Sequence, residues 1–277
     1  MYNSMTKTVQ FAIALMIGLE AMFVGLNIYT PKVNAAGPNG KKVPVIVELF
    51  TSEGCSDCPP ADKVLMELEA KQPVDGAEII VLSEHVDYWN NLGWTDPYSN
   101  ASFTKRQEQF AGQFGLNSSY TPQMVVDGSS QFVGCNGREA LKSVAQAAQQ
   151  PHADVRVEGN FSAEYGKNAS DIFSITVTDV PKSERGEKID VWIVVTETGL
   201  TSSVKRGENS GRTLTHTAVV RRMQIVGETA EGSATFKKSV TVNYNNKEWN
   251  PKNLKFVIFL QGQKSRKIYG SAVSTHS

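Results

Sequence analysis

The sequence predicts a two-part fold: an α/β domain over residues 43–150, then an all-β, antiparallel sandwich-like domain over residues 153–277. Three observations predict it. Two short β-branched apolar runs flank a stretch with apolar residues at helical spacing, the pattern of a strand–helix–strand unit. A C-x-x-C pair, Cys55 and Cys58, occupies the first strand-to-helix turn. Beyond residue 153 helical periodicity disappears, and short alternating runs recur between Gly-, Asn- and Lys-rich turns.

Taken in order, Val43 to Phe50 is a compact apolar run with Val45, Ile46 and Val47, and reads as a buried strand. Thr51 to Asp57 is a loop carrying Gly54. From Pro59 the pattern turns helical: Ala61, Val64, Leu65 and Leu68 form one apolar stripe. Pro59 and Pro60 suit a first helical turn, where a missing N–H costs nothing. Ala77 to Ser83 is a second strand, so the crossover is right-handed and the strand pair parallel. His85 to Tyr98 is aromatic and polar, too rich in Asp, Asn and Gly to be regular. A helix is expected over Ser102 to Phe114. A β-hairpin follows, from Met124–Asp127 through Gly128-Ser129 to Gln131–Val133, and then a helix from about Gly137 to Gln149. Pro151 and His152 mark the boundary. In the second half, strands are expected at Ile172–Val177, Val191–Glu197, Thr213–Val220, Phe236–Tyr244 and Lys255–Gln261.

The chain begins with a targeting pattern. Lys7 is the only charge ahead of an apolar run from Phe11 to Ile28, and Pro31 and the small-residue stretch Val33–Gly37 follow. Residues 1 to 36 read as a secretory signal, with an uncleaved signal anchor as the alternative. Glu20 inside the run weighs against the anchor. No later stretch is apolar enough to span a membrane, so the expected mature protein is exported, periplasmic or secreted, without a membrane span. Lys+Arg and Asp+Glu balance at 28 each, so no net charge draws the chain to nucleic acid.

The order strand–helix–strand, helix, hairpin, helix, with C-x-x-C at the first turn and Thr121-Pro122 before a strand, is the thioredoxin-like arrangement. That resemblance implies a cis proline at Pro122, packed against the active-site sulfurs. A closer resemblance is carried by Val47-Glu-Leu-Phe-Thr-Ser-Glu-Gly-Cys-Ser-Asp-Cys-Pro-Pro-Ala-Asp62. His85–Trp89, Leu92–Pro97, Tyr120–Gly128 and Gly207–Leu214 extend it. These motifs are similar to those of an exported bacterial family, domain of unknown function 1223. The resemblance implies a thioredoxin-like domain, a β-rich tail and a redox role, with no substrate assigned. One departure is visible: Phe132-Val-Gly-Cys135 ends in cysteine where the family usually has serine.

Three cysteines are too few for a disulfide scaffold, and in an oxidising compartment one is left over. A thiolate is the nucleophile in disulfide exchange, and a helix N-terminus favours its charge. By position Cys55 is the attacking sulfur and Cys58 the resolving one. Asp57, between them, either opposes thiolate formation or caps the helix. Thr121 and Pro122 either close one side of the site, with the Thr121 backbone offered to a partner peptide, or are an ordinary trans proline turn opening a strand. His85, Asp87, Tyr88 and Trp89 follow the second strand, whose end opens on the same edge as the Cys loop. His85 is a candidate to stabilise a thiolate, shuttle protons or bind a metal, or is a satisfied structural residue. Trp89 and Trp94 line either a cleft or a core. Cys135 is a further resolving thiol or metal ligand, or a small buried thiol. Gly207 to Arg212, with Glu208 and Asn209, is a polar loop that contacts the first domain or is an ordinary hairpin turn.

The leading expectation is an exported thiol–disulfide oxidoreductase acting on protein thiols or disulfides, with no cofactor. Two alternatives stand beside it. One is a Cu(I)- or Zn-binding thioredoxin-like metallochaperone using Cys55, Cys58 and His85. The other is a non-catalytic interaction module in which the cysteine pair only stabilises the fold.

Overall fold

A computed structural model describes residues 41–159, 168–182, 186–229, 233–245 and 248–275. The expected signal segment, residues 1–36, lies outside the described residues. Strand β1 (Val43–Thr51) pairs in parallel with β2 (Ala77–His85), Val45 opposite Ile79 and Thr51 opposite His85. Helix α1 (Cys58–Lys71) makes the crossover. At its end the Gln72 amide bonds both backbone groups of Ile79, fixing where β2 starts. Helix α2 (Ala101–Gln113) opens with the Asn100 side chain accepting from the Ser102 N–H. The hairpin β3 (Gln123–Val126) and β4 (Ser130–Val133) continues the sheet antiparallel to β1, and α3 (Gly137–Ala147) follows.

The described residues of the second half form strands β5 (Asp154–Gly159), β6 (Asn168–Thr178), β7 (Ile189–Glu197), β8 (Leu200–Ser203), β9 (Thr213–His216), β10 (Val219–Thr229), β11 (Phe236–Asn245), β12 (Leu254–Gly262) and β13 (Ile268–Thr275), with one short 3-10 turn at Pro251–Asn253. The architecture is mixed α/β, built on one eight-stranded sheet in the order β13-β12-β7-β10-β2-β1-β3-β4. Strands from both sequence halves therefore share a sheet. The seam is narrow: Val219 of β10 is registered with Ser83 of β2, and the Ser83 N–H donates to the Ala218 carbonyl. A three-stranded sheet, β11-β6-β5, is separate. The pair β8-β9 belongs to neither sheet.

Side chains alternate across β1 as the pleat requires. Val45, Val47 and Leu49 pack with Ala61, Leu65 and Leu68 of α1 and Val144 of α3. Ile46 and Phe50 face the other way, towards Phe103 and Phe110 of α2 respectively. A further core joins Phe173 and Ile175 of β6 to Val191 and Ile193 of β7 and Phe256 and Ile258 of β12, a sheet-on-sheet packing within the second half. The buried Arg106 guanidinium ties the halves together. It bonds Glu48 of β1 (2.5 Å) and Gln261 of β12 (2.9 Å), and its Nε lies 3.5 Å from Glu84 of β2. Glu48 and Glu84 share this one buried cation, and burial, with Glu48 alongside, pushes Glu84 well above the usual carboxylate range.

The expected strand at Thr213–Val220 is broken in two. Ala218 has a positive φ of 46°, and the chain turns there from β9 into β10. Among the described residues no helix is long and apolar enough to cross a membrane.

Candidate functional site

Cys55 and Cys58 are joined by a disulfide at the start of α1. Pro59 and Pro60 fill the first helical positions, and the Cys58 N–H donates to the Cys55 carbonyl at 3.2 Å. Both sulfur-bearing residues are buried, Cys55 at 1% exposure and Cys58 at 0%. Ser56 and Asp57 between them are exposed. Asp57 stands at the N-cap position, yet its side chain accepts no capping hydrogen bond. The expected capping role is therefore not what the side chain does: it faces water beside the disulfide.

Trp89 wedges between this loop and the proline turn. Its Nε1 donates to Thr121 Oγ1 at 2.8 Å, and a Cβ added to Gly54 would lie 3.0 Å from Trp89 Cβ. Thr121-Pro122 is a cis peptide, and the Pro122 carbonyl accepts from the Gly134 N–H. A Cβ on Gly134 would meet Ala61 of α1 at 3.0 Å and Pro122 at 3.3 Å. Cys135 thus follows a glycine pressed between the Cys helix and Pro122. Its thiol is free and exposed, not the buried thiol expected as one alternative. Asp87 is drawn away from the sulfurs: its carboxylate accepts from Thr104 of α2 at 2.6 Å.

Beneath the Cys loop lies a closed set of buried acids and imidazoles. Glu53, two residues before Cys55, bonds Trp94 Nε1 (2.8 Å) and lies 3.1 Å from His216 Nε2. Asp96 accepts from the Glu53 N–H (2.8 Å) and pairs with His85 Nδ1 (2.7 Å). Asp62, one helical turn beyond Cys58, accepts from Thr51 Oγ1 (2.9 Å) and lies 3.9 Å from His216 Nδ1. The two imidazole rings meet edge to face at 4.7 Å, with Tyr98 against both. Burial pulls His85 down, but Asp96 outweighs it and holds the imidazole above its ordinary value. Burial opposes the Asp96 charge as well, and His85 with the Glu53 and Tyr98 N–H groups brings that carboxyl below its usual range. Asp62 goes the other way: burial raises it, against the pull of His216 and His85. The surroundings thus favour the charged forms of His85 and Asp96, and the neutral form of Asp62 beside them.

The second half reaches over the top. Asn209, fully buried, donates through Nδ2 to the carbonyls of both Glu53 and Cys55, each at 2.9 Å. Arg212 orients it by donating to Oδ1 at 2.9 Å. Glu208 accepts from the Ser56 N–H at 3.1 Å, and hydrogen bonding from Ser56 draws its carboxyl below the usual range. The polar Gly207–Arg212 loop therefore contacts the Cys loop directly. Glu53, Asp62, Asp96 and His216 were missed as site residues. Glu53, Asp62 and Asp96 lie inside the motifs that carried the family resemblance, which was the available signal. Cys55, Cys58 and His85 are not gathered as a ligand set; among the described residues, no group of three or more His, Cys, Asp or Glu side chains is arranged to hold a metal ion.

A family model described as "Protein of unknown function (DUF1223)" matches residues 46–261. A crystal structure of a protein from Agrobacterium tumefaciens is similar at 27% identity, covering 86% of this chain and 96% of that one with a TM-score of 0.61. HBP35 of Porphyromonas gingivalis is similar at 13% identity, covering 85% and 76% respectively with a TM-score of 0.58, a likeness of fold alone. A search of curated proteins finds no match.

Proposed function

For a member of the DUF1223 family, to which this chain belongs, we propose a thiol–disulfide oxidoreductase of thioredoxin-like architecture, working outside the cytoplasm on protein thiols or disulfides. One observation carries the reading: a C-x-x-C disulfide at the first turn of a helix, with a hydrogen-bond donor, Asn209, on the Cys55 carbonyl and a buried carboxyl, Asp62, one turn along the helix. Residues 43–150 supply the cysteines, and residues 153–277 the cover and His216.

In the reduced protein the Cys55 thiolate attacks a partner disulfide. A bond forms between Cys55 and one partner sulfur, the partner S–S bond breaks, and the other partner sulfur leaves and takes up a proton. Cys58 then loses its proton and attacks Cys55. The mixed disulfide breaks, the partner departs as a dithiol, and Cys55–Cys58 becomes the disulfide. The partner gains two electrons and two protons. The same steps in reverse oxidise a partner dithiol. Thiolate charge at Cys55 and Cys58 is favoured by the positive end of the α1 macrodipole. Asp62, on the same helix one turn along, is the acceptor for the Cys58 proton, with His216 beside it. The Thr121 backbone receives the partner chain.

Burial of both cysteines favours a second reading, a structural disulfide in a binding module. Cys58→Ser separates the two. An oxidoreductase with this change accumulates partners bound covalently through Cys55, and Cys55→Ser abolishes them. A module with a passive disulfide accumulates none.

A further inference from the structure

An exchange site must admit a third sulfur in line with the disulfide, yet Cys55 is 1% exposed. The tip of the β8-β9 hairpin is hydrogen-bonded to the backbone on both sides of Cys55. Among the described residues this hairpin pairs only with itself, and a lone two-stranded ribbon has little stability of its own. Its tip is organised to press down. Val204 and Arg212 close the loop backbone, with the Val204 N–H donating to the Arg212 carbonyl at 3.0 Å. Gly207, at a φ of 79°, sits where a side chain would lie 3.1 Å from Trp94 Cβ. Gly211 turns the far side at a φ of 80°. Between them Glu208 takes the Ser56 N–H and Asn209 takes the Glu53 and Cys55 carbonyls. At the ribbon's base His216 is held by Glu53. The contacts fall on the Cys loop itself, at both sides of Cys55.

We propose that the Gly207–Arg212 tip is a cover that must lift from Ser56 and Cys55 before any sulfur reaches the disulfide, so that opening of the hairpin governs access to the site. The cover rests on the oxidoreductase reading for its purpose but not for its test. When it lifts, Asn209 releases two carbonyls and Glu208 one N–H, all of which water can satisfy. Among the described residues the ribbon has no sheet partner that would have to be broken.

A water-soluble trialkylphosphine tests this on the oxidised protein, well below its melting temperature. The phosphine attacks one sulfur, the S–S bond breaks, and water supplies the oxygen of the phosphine oxide and the two thiol protons. Asn209→Ala loses two hydrogen bonds of the closed state and should speed reduction about tenfold. Equal rates, within about twofold, would overturn the proposal. Should Asn209→Ala not fold, Glu208→Ala serves, since Glu208 is exposed and loses only the Ser56 contact. It should speed reduction about threefold, and no increase would overturn the cover. Failure of the oxidoreductase reading shows elsewhere, as an absence of partners trapped in Cys58→Ser, and leaves the phosphine result intact.

Discussion

Asn209 donates a 2.9 Å hydrogen bond to the carbonyl of Cys55 across 154 residues of sequence. That carbonyl also accepts from the Cys58 N–H, so the turn between the sulfurs is held from inside and from the second half of the chain. The site is shared between halves that the sequence presents as successive domains.

The buried Arg106 cluster should divide two substitutions sharply. Arg106→Met strands Glu48 and costs about 3–5 kcal/mol in denaturant unfolding. Glu84→Gln should be tolerated, because burial, with Glu48 alongside, already favours the neutral form of Glu84. Its raised folded value makes its contribution fully present below the ordinary carboxylate value of 4.5, and lost as pH rises through the folded one. The stability of Glu84→Gln relative to the unsubstituted protein should therefore rise with pH. A flat difference would show Glu84 ionised.

The His85–Asp96 pair sets a pH window for stability. Asp96 is depressed, so its contribution is present above its ordinary 3.8 and lost as pH falls through the folded value. His85 is raised, so its contribution is fully present below its ordinary 6.5 and lost as pH rises through the folded value. The melting-temperature deficit of Asp96→Asn should be largest between these two limits and shrink on either side. A deficit that keeps growing above the window would contradict the charged pair.

Gly54→Ala should push Trp89 from its place. The added methyl would sit 3.0 Å from Trp89 Cβ, and the Trp89–Thr121 bond bridges the Cys loop to the proline turn. We expect a loss of about 1–3 kcal/mol, with a change in Trp fluorescence. An unchanged emission would show that the wedge is not rigid.

Much of this was legible because the deciding patterns are local. The β1–α1–β2 unit shows in uninterrupted apolar runs, and the cysteine pair in its spacing. The docking of β10 on β2 was not legible, since it rests on one registered pair, Val219 with Ser83, and leaves no periodicity. The break at Ala218 was hidden because its flanking residues read as continuous strand. Glu53 and His216 stand 163 residues apart, and neither residue alone signals a buried pair. Gly207–Arg212 was visible as a polar loop, but what it touches is decided by folding alone.

The reduction potential of the Cys55–Cys58 pair, measured against a glutathione or dithiothreitol buffer, bears most directly on the central claim. An exchange site should give a value between roughly −120 and −270 mV. A value below about −300 mV would mark the disulfide as structural and contradict the oxidoreductase account.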